Sequence, residues 1–106
     1  MAGPLDELAA ITDAAYQADL ARLKSVTQEE AGLRGELERL AQEEQRHAAA
    51  DPTSVLALNS IGGDILWRAW AGRKRESLNL RLATVMARKL TAVQAVQKSF
   101  GKTSVT

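Results

Sequence analysis

At 106 residues the chain has room for one domain, and its 45% hydrophobic content is mostly Ala, Leu and Val, with four aromatics in all. That set fills narrow helix–helix seams and not thick globular cores, and the 25% of charged residues points the same way, to long helices. Cysteine is absent, which excludes disulfides and thiolate chemistry, and no run of eighteen apolar residues is present to span a membrane as a helix.

The net charge of +1 hides an asymmetry. Residues 1–52 carry eleven acids and five bases, whereas residues 53–106 carry two acids and nine bases. A chain divided in this way neutralises itself when its halves lie side by side.

The opening stretch, MAGPLDELAAITDAAY, is acidic and lacks the apolar run of a signal peptide. Gly3-Pro4 followed by Asp6 and Glu7 predicts a helix start, because Pro suits the first turn and carboxylates there face the positive end of the helix dipole. The first helix is expected over residues 5–50. Leu5, Leu8, Ile11, Ala15, Tyr16, Leu20 and Leu23 recur at spacings near three and four, and Leu33, Leu37 and Leu40 resume the pattern after Val26. Two or three apolar positions in seven make a seam and not a broad face. The steps Leu20, Leu23, Val26 are both threes, which predicts a drift of the seam there. Gly32 and Gly35 each cost about 1 kcal/mol relative to Ala, so that turn is expected to be soft.

Asp51-Pro52 is unfavourable for helix continuation, which sets the apex at residues 51–63, with a short helical piece across Ser54 to Ser60. Gly62-Gly63 is a second weak point, and Asp64 is expected to cap a second helix over residues 64–100. Ile65, Leu66, Trp70, Leu78, Leu82, Met86, Val93, Val96 and Phe100 carry its period, and Gly101 with the polar residues after it reads as a frayed tail. The expected fold class is all-α: two long helices forming an antiparallel coiled-coil hairpin. Helices of about 44 and 37 residues extend roughly 66 and 55 Å, too long to bury themselves in a compact globule of this size, so they pair along their length. With the apex near residue 56, paired residue numbers total about 112. That alignment sets Arg73–Arg75 against Leu37–Arg39, beside Glu36 and Glu38, and Lys89 near Leu23.

Catalysis requires converging groups in a concave site, and the pattern offers none. The single histidine, His47, could share a metal only with Glu43 or Glu44, too few ligands for a structural site, and it reads as a solvated residue of the last turn. Glu29, Glu30, Glu36, Glu38, Glu43 and Glu44 read as a solvated face. No cofactor or metal is expected, and the chain is not read as an enzyme. Nucleic-acid binding is weighed on Arg73, Lys74 and Arg75 beside two tryptophans and set aside, because an acidic helix lies next to them and the pI is 8.1. Membrane-surface binding is set aside on the same ground.

The stretch WRAWAGRKRE, residues 67–76, holds both tryptophans and the densest run of positive charge. One reading makes Trp67 and Trp70 an aromatic plug that closes the end of the coiled coil. The preferred reading makes Trp67 and Trp70, with Arg73, Lys74 and Arg75, a partner-binding patch, since Trp and Arg dominate binding energy at interfaces.

The second helix, LWRAWAGRKRESLNLRLATVMARKLTAVQAVQKSFGK, joins a Trp-containing entry, a basic cluster and Leu/Ala-rich heptads with Arg and Lys. In this it resembles the FliJ family of flagellar export proteins and their injectisome relatives, over roughly residues 5–100. The resemblance implies an antiparallel coiled coil acting as the stalk of an export ATPase, in the cytoplasm and peripheral to an inner-membrane export complex. It implies that the terminal ends enter the ATPase ring and that the apex side faces the export gate. Trp67 and Trp70 would then be gate contacts, and Arg88, Lys89 and Lys98 ring contacts. The alternative is a coiled-coil adaptor or secretion chaperone in which two hairpins form a homodimeric four-helix bundle.

Overall fold

The computed structural model describes residues 3–49 and 61–105. They form two α-helices of 45 residues each, α1 (Pro4–Ala48) and α2 (Ile61–Val105), with no strand among the described residues. The chain is an all-α helical hairpin.

Helix α1 begins where local chemistry asks it to. The Gly3 carbonyl accepts the amides of Asp6 and Glu7 at 3.0 and 3.1 Å. In return, the Gly3 amide donates to the Asp6 carboxylate at 3.1 Å, the reaching-back half of a capping box. Pro4 adds no orphan donor at the first helical position. Gly32 and Gly35 do not interrupt the helix, which passes through both.

Helix α2 departs from expectation at both ends. It starts at Ile61 and not at Asp64, so Gly62 and Gly63 lie in its first turn and Asp64 completes that turn as an acid at the positive end of the dipole. It also continues past Phe100 and Gly101 to Val105, with Lys102 in the last turn where a cation is favoured. No described glycine has a positive φ, so Gly101 acts as an ordinary helical residue and not as a stop. Of the expected apex at 51–63, residues 61–63 are therefore helical. The Asp51-Pro52 break and the helical piece across Ser54 to Ser60 lie outside the described residues.

The chain forms two compact units, one of Met1–Ala31 with Thr84–Thr106 and the other of Gly32–Ala83. In the first unit the inward positions of α1 are Thr12, Tyr16, Asp19, Leu23, Val26 and Glu30, in strict alternation of four and three. The matching row of α2 is Val85, Lys89, Ala92, Val96 and Ser99. The seam does not drift at Leu20–Leu23–Val26 as the apolar residues alone imply. Asp19 takes the heptad position, with its side chain 17% exposed, and its carboxylate accepts the Ser99 hydroxyl. Tyr16 and Phe100 close this unit with ring centroids 6.0 Å apart.

In the second unit Leu33, Leu37, Leu40 and Glu44 face a row that includes Trp67, Ala71, Arg75, Leu78 and Leu82. Its core is Leu40, Ala71 and Leu78, with Leu33, Leu37 and Trp67 packed against it. The small Ala71 lets the helices approach, and Leu78 is its most buried side chain.

Register is where the structure corrects the sequence reading most clearly. Glu30 accepts from Lys89 at 3.2 Å, and Glu44 is ion-paired with Arg75. Both pairs of residue numbers total 119, one heptad away from the expected 112. Arg75 therefore meets Glu44 and not Leu37–Arg39, and Lys89 meets Glu30 and not Leu23. A heptad seam looks the same after a slip of seven residues, so apolar spacing cannot choose between these alignments. The charges can. At a total of 112 Lys89 would lie against Leu23, Arg75 against Leu37, and Glu30 against Leu82. At 119 Glu30 meets Lys89 and Glu44 meets Arg75, and Leu40 falls nearly level with Leu78. Glu30 and Glu44 are thus half-buried seam residues and not members of a solvated face.

Two consequences can be measured. Lys89→Glu sets two carboxylates against each other in the seam and should cost roughly 1–3 kcal/mol, below the ~3–5 kcal/mol of a fully buried broken pair. Adding Glu30→Lys to it should recover most of that loss, read as a coupling energy in a urea-denaturation double-mutant cycle. Gly32 is exposed, and nothing lies within 4 Å of a Cβ placed there. Gly32→Ala should accordingly stabilise the chain by about 0.5–1 kcal/mol and raise its melting temperature.

Candidate partner-binding surface

The structure separates the two tryptophans. Trp67 is half-buried and packs on the Leu40–Ala71–Leu78 core. Its indole stacks on the His47 ring, with centroids 3.8 Å apart and planes 20° from parallel. Trp70, three residues on, is rotated away from the seam and remains 45% exposed, tilted against Trp67 at 6.4 Å. One indole is committed to the hairpin and the other faces outward.

His47 is exposed in the last turn of α1, as its position implies, and it nevertheless has partners. Besides the stack on Trp67, its Nδ1 lies 3.7 Å from an oxygen of Asp64, whose other oxygen takes the Arg68 Nε at 3.1 Å. The last turn of α1 and the first turns of α2 are thus fastened by an aromatic stack inside an acid–base set. The expected alignment already sets His47 level with Ile65, between Asp64 and Trp67, but helical spacing alone gives no sign of the stack.

The basic candidates divide in the same way. Arg75 is held by Glu44, Arg88 by Glu29 at 2.8 Å and Lys89 by Glu30. The first unit's Glu29–Arg88 bridge stands on one side of the seam. By contrast, Arg73, Lys74 and Lys98 are exposed and, among the described residues, form no ion pair. In the second unit Trp70, Arg73 and Lys74 therefore share one outward surface of α2, next to Leu66, which is 73% exposed. Of the eight candidate residues this surface brings together three. Trp67 and Arg75 belong to the core and seam of that unit, and Arg88, Lys89 and Lys98 lie in the other.

A second feature was not picked out from the sequence. In the first unit Met86, Leu90, Val93, Gln97 and Phe100 follow one another at spacings of four and three, on a side of α2 away from the Glu29–Arg88 bridge. Met86, Val93 and Phe100 were each assigned to the seam, and only the spacing to Val85, Lys89, Ala92 and Val96 shows that they form a separate row.

Two shallow depressions open directly to solvent, one beside Gly72, Asn79 and Leu80 and one beside Val26, Ala87 and Ala92. Neither gathers titratable groups around a dry cavity of the kind that catalysis requires. No group of three or more His, Asp or Glu side chains comes together among the described residues to hold a metal. No described helix is long and apolar enough to cross a membrane.

Comparison with protein-family models, with curated proteins and with solved structures finds no match to this chain.

The two indoles should respond differently to truncation. Trp67→Ala removes a packed ring and leaves a cavity beside Leu40, so it should cost about 3–4 kcal/mol and lower the melting temperature markedly. Trp70→Ala should stay within about 1 kcal/mol of the parent in the same thermal melts followed by circular dichroism.

Proposed function

We propose that this chain is a non-enzymatic coiled-coil interaction protein that binds a protein partner through Trp70, Arg73 and Lys74 on α2. The observation that carries this reading is a large aromatic exposed on a rigid helix, beside two cations that no acid of the described chain neutralises. Such a grouping offers an apolar anchor within a positive rim, the combination that dominates interface energetics. It fits a partner with an acidic margin around an apolar pocket.

The resemblance of the second helix to the FliJ family supplies the particular assembly. In that reading the hairpin is a stalk or coupling component of a flagellar or type III export ATPase. Trp70 faces the export gate, Lys98 lies at the end that enters the ATPase ring, and the chain works in the cytoplasm beside an inner-membrane complex. A second reading, an adaptor or chaperone that dimerises into a four-helix bundle, is favoured by the apolar row from Met86 to Phe100.

Affinity capture with the parent chain and with Trp70→Ala/Arg73→Ala, followed by identification of the bound proteins, tests the principal reading. The double variant should lose roughly 2–4 kcal/mol of partner binding while keeping its helical signal. Recovery of an export ATPase or gate component with the parent alone is the expected result. Equal capture by both chains would remove this surface from the function.

A further inference from the structure

In the unit of residues 32–83, three aromatic rings run from one helix to the outward surface of the other. His47, in the last turn of α1, stacks on Trp67 of α2 with centroids 3.8 Å apart. Trp67 in turn lies against Trp70, tilted by 44° at 6.4 Å. Residues three apart are neighbours on a helix surface, so any turn of the Trp67 side chain moves the support on which Trp70 rests.

Trp67 is held in two ways. It packs on the core of Leu40, Ala71 and Leu78, and the His47 ring covers its face. His47 is itself steered from α2, since its Nδ1 lies 3.7 Å from Asp64, whose second oxygen takes the Arg68 Nε at 3.1 Å. Yet the His47 side chain is 43% exposed, so it adds little to the core. What it does is close the ring stack at its α1 end.

We propose that His47 is a positioning residue of the partner surface: through Trp67 it fixes the Trp70 indole in the orientation that a partner meets. The inference rests on the reading of Trp70, Arg73 and Lys74 as that surface and adds a residue from the other helix. Trp70 is 45% exposed, and its ring contact is with Trp67. An anchor already ordered need not be ordered on binding, which for one side chain is worth roughly two- to tenfold in Kd. The surface also becomes conditional on closure of the hairpin at His47. Trp70, Arg73 and Lys74 all stand on α2, but the support of the indole comes from α1. By linkage, a partner that holds Trp70 in this orientation favours the closed end by the same factor.

Trp67→Phe keeps a ring in the stack and leaves Trp70 as the one indole of the full chain, read by time-resolved fluorescence anisotropy. In that background His47→Ala should enlarge the fast local depolarisation of Trp70 and its quenching by acrylamide, with helicity unchanged. His47→Phe restores a ring without charge and should return both to the parent value. Leu33→Ala removes a core contact about 20 Å along α1 from His47, so it should lower the melting temperature and leave Trp70 as it was. Should the Trp67→Phe chain fail to fold, fluorotryptophan labelling gives the same reading from the Trp70 resonance of chains that keep both indoles. In affinity capture, His47→Ala should weaken recovery about two- to tenfold and His47→Phe should not. Trp70 motion indifferent to His47→Ala overturns the proposal, as does a change that Leu33→Ala matches or His47→Phe fails to reverse. Full capture by His47→Ala, where Trp70→Ala/Arg73→Ala loses it, overturns the positioning role alone. Capture indifferent to Trp70→Ala/Arg73→Ala removes the surface itself, whatever the anisotropy shows.

Discussion

Glu30 with Lys89 and Glu44 with Arg75 occupy seam positions that a coiled coil ordinarily fills with Leu or Val, and the alignment of the two helices depends on them. A half-buried charge is tolerable only when it meets its opposite. Two such pairs admit one alignment, because any slip by a heptad sets at least one of these ions against a leucine. The arrangement gives up some stability, since well-packed apolar residues at these positions would hold the helices at least as firmly. What it supplies is register, the best-attested use of polar residues in a coiled-coil core.

The Trp67 end is fastened separately from these ion pairs. There the last turn of α1 meets the first turns of α2, where His47 stacks on Trp67 and approaches Asp64, contacts whose residue numbers total 114 and 111 and not 119. Trp67 is thereby drawn into the core, and Trp70, rotated by three residues, is left outside. The two indoles divide, Trp67 packed on the core and Trp70 exposed, because a narrow Ala/Leu seam has room for one indole.

The fold was legible in the sequence and the register was not. Leu33, Leu37 and Leu40 announce a seam because Leu is both a strong helix former and a strong apolar signal. Asp19, Glu30 and Glu44 announce nothing, since an acid on a helix is read as solvated unless its partner is known. The expected drift at Leu20–Leu23–Val26 was the visible trace of that blindness: the missing heptad residue was Asp19, held by Ser99. Charge segregation between the halves misled in the same direction. When one helix is acidic and the other basic, several slips bring opposite charges near each other, and only the pairs inside the seam discriminate. Gly101 reads as a stop in the sequence, yet α2 runs on past it, since a helical glycine needs no special φ.

The same blindness hid the second row on α2. Met86, Val93 and Phe100 have the right spacing for a seam, and from sequence alone they were assigned to it together with Val96. Packing assigns the seam instead to Val85, Lys89, Ala92 and Val96, a row that contains a lysine and would score as the poorer candidate. Apolar residues are therefore in excess on α2: the seam uses one row, and of the other Met86 and Leu90 stay exposed while Phe100 reaches Tyr16 of α1. Helix α1 exposes large apolar side chains in this unit as well, Leu5, Leu8 and Ile11 near its start, while its later outward positions are mainly polar or Ala. Exposed apolar side chains thus stand on both helices of this unit, and spacing alone does not tell which apolar residues the seam takes up; the burial of Val85 and Ala92 does.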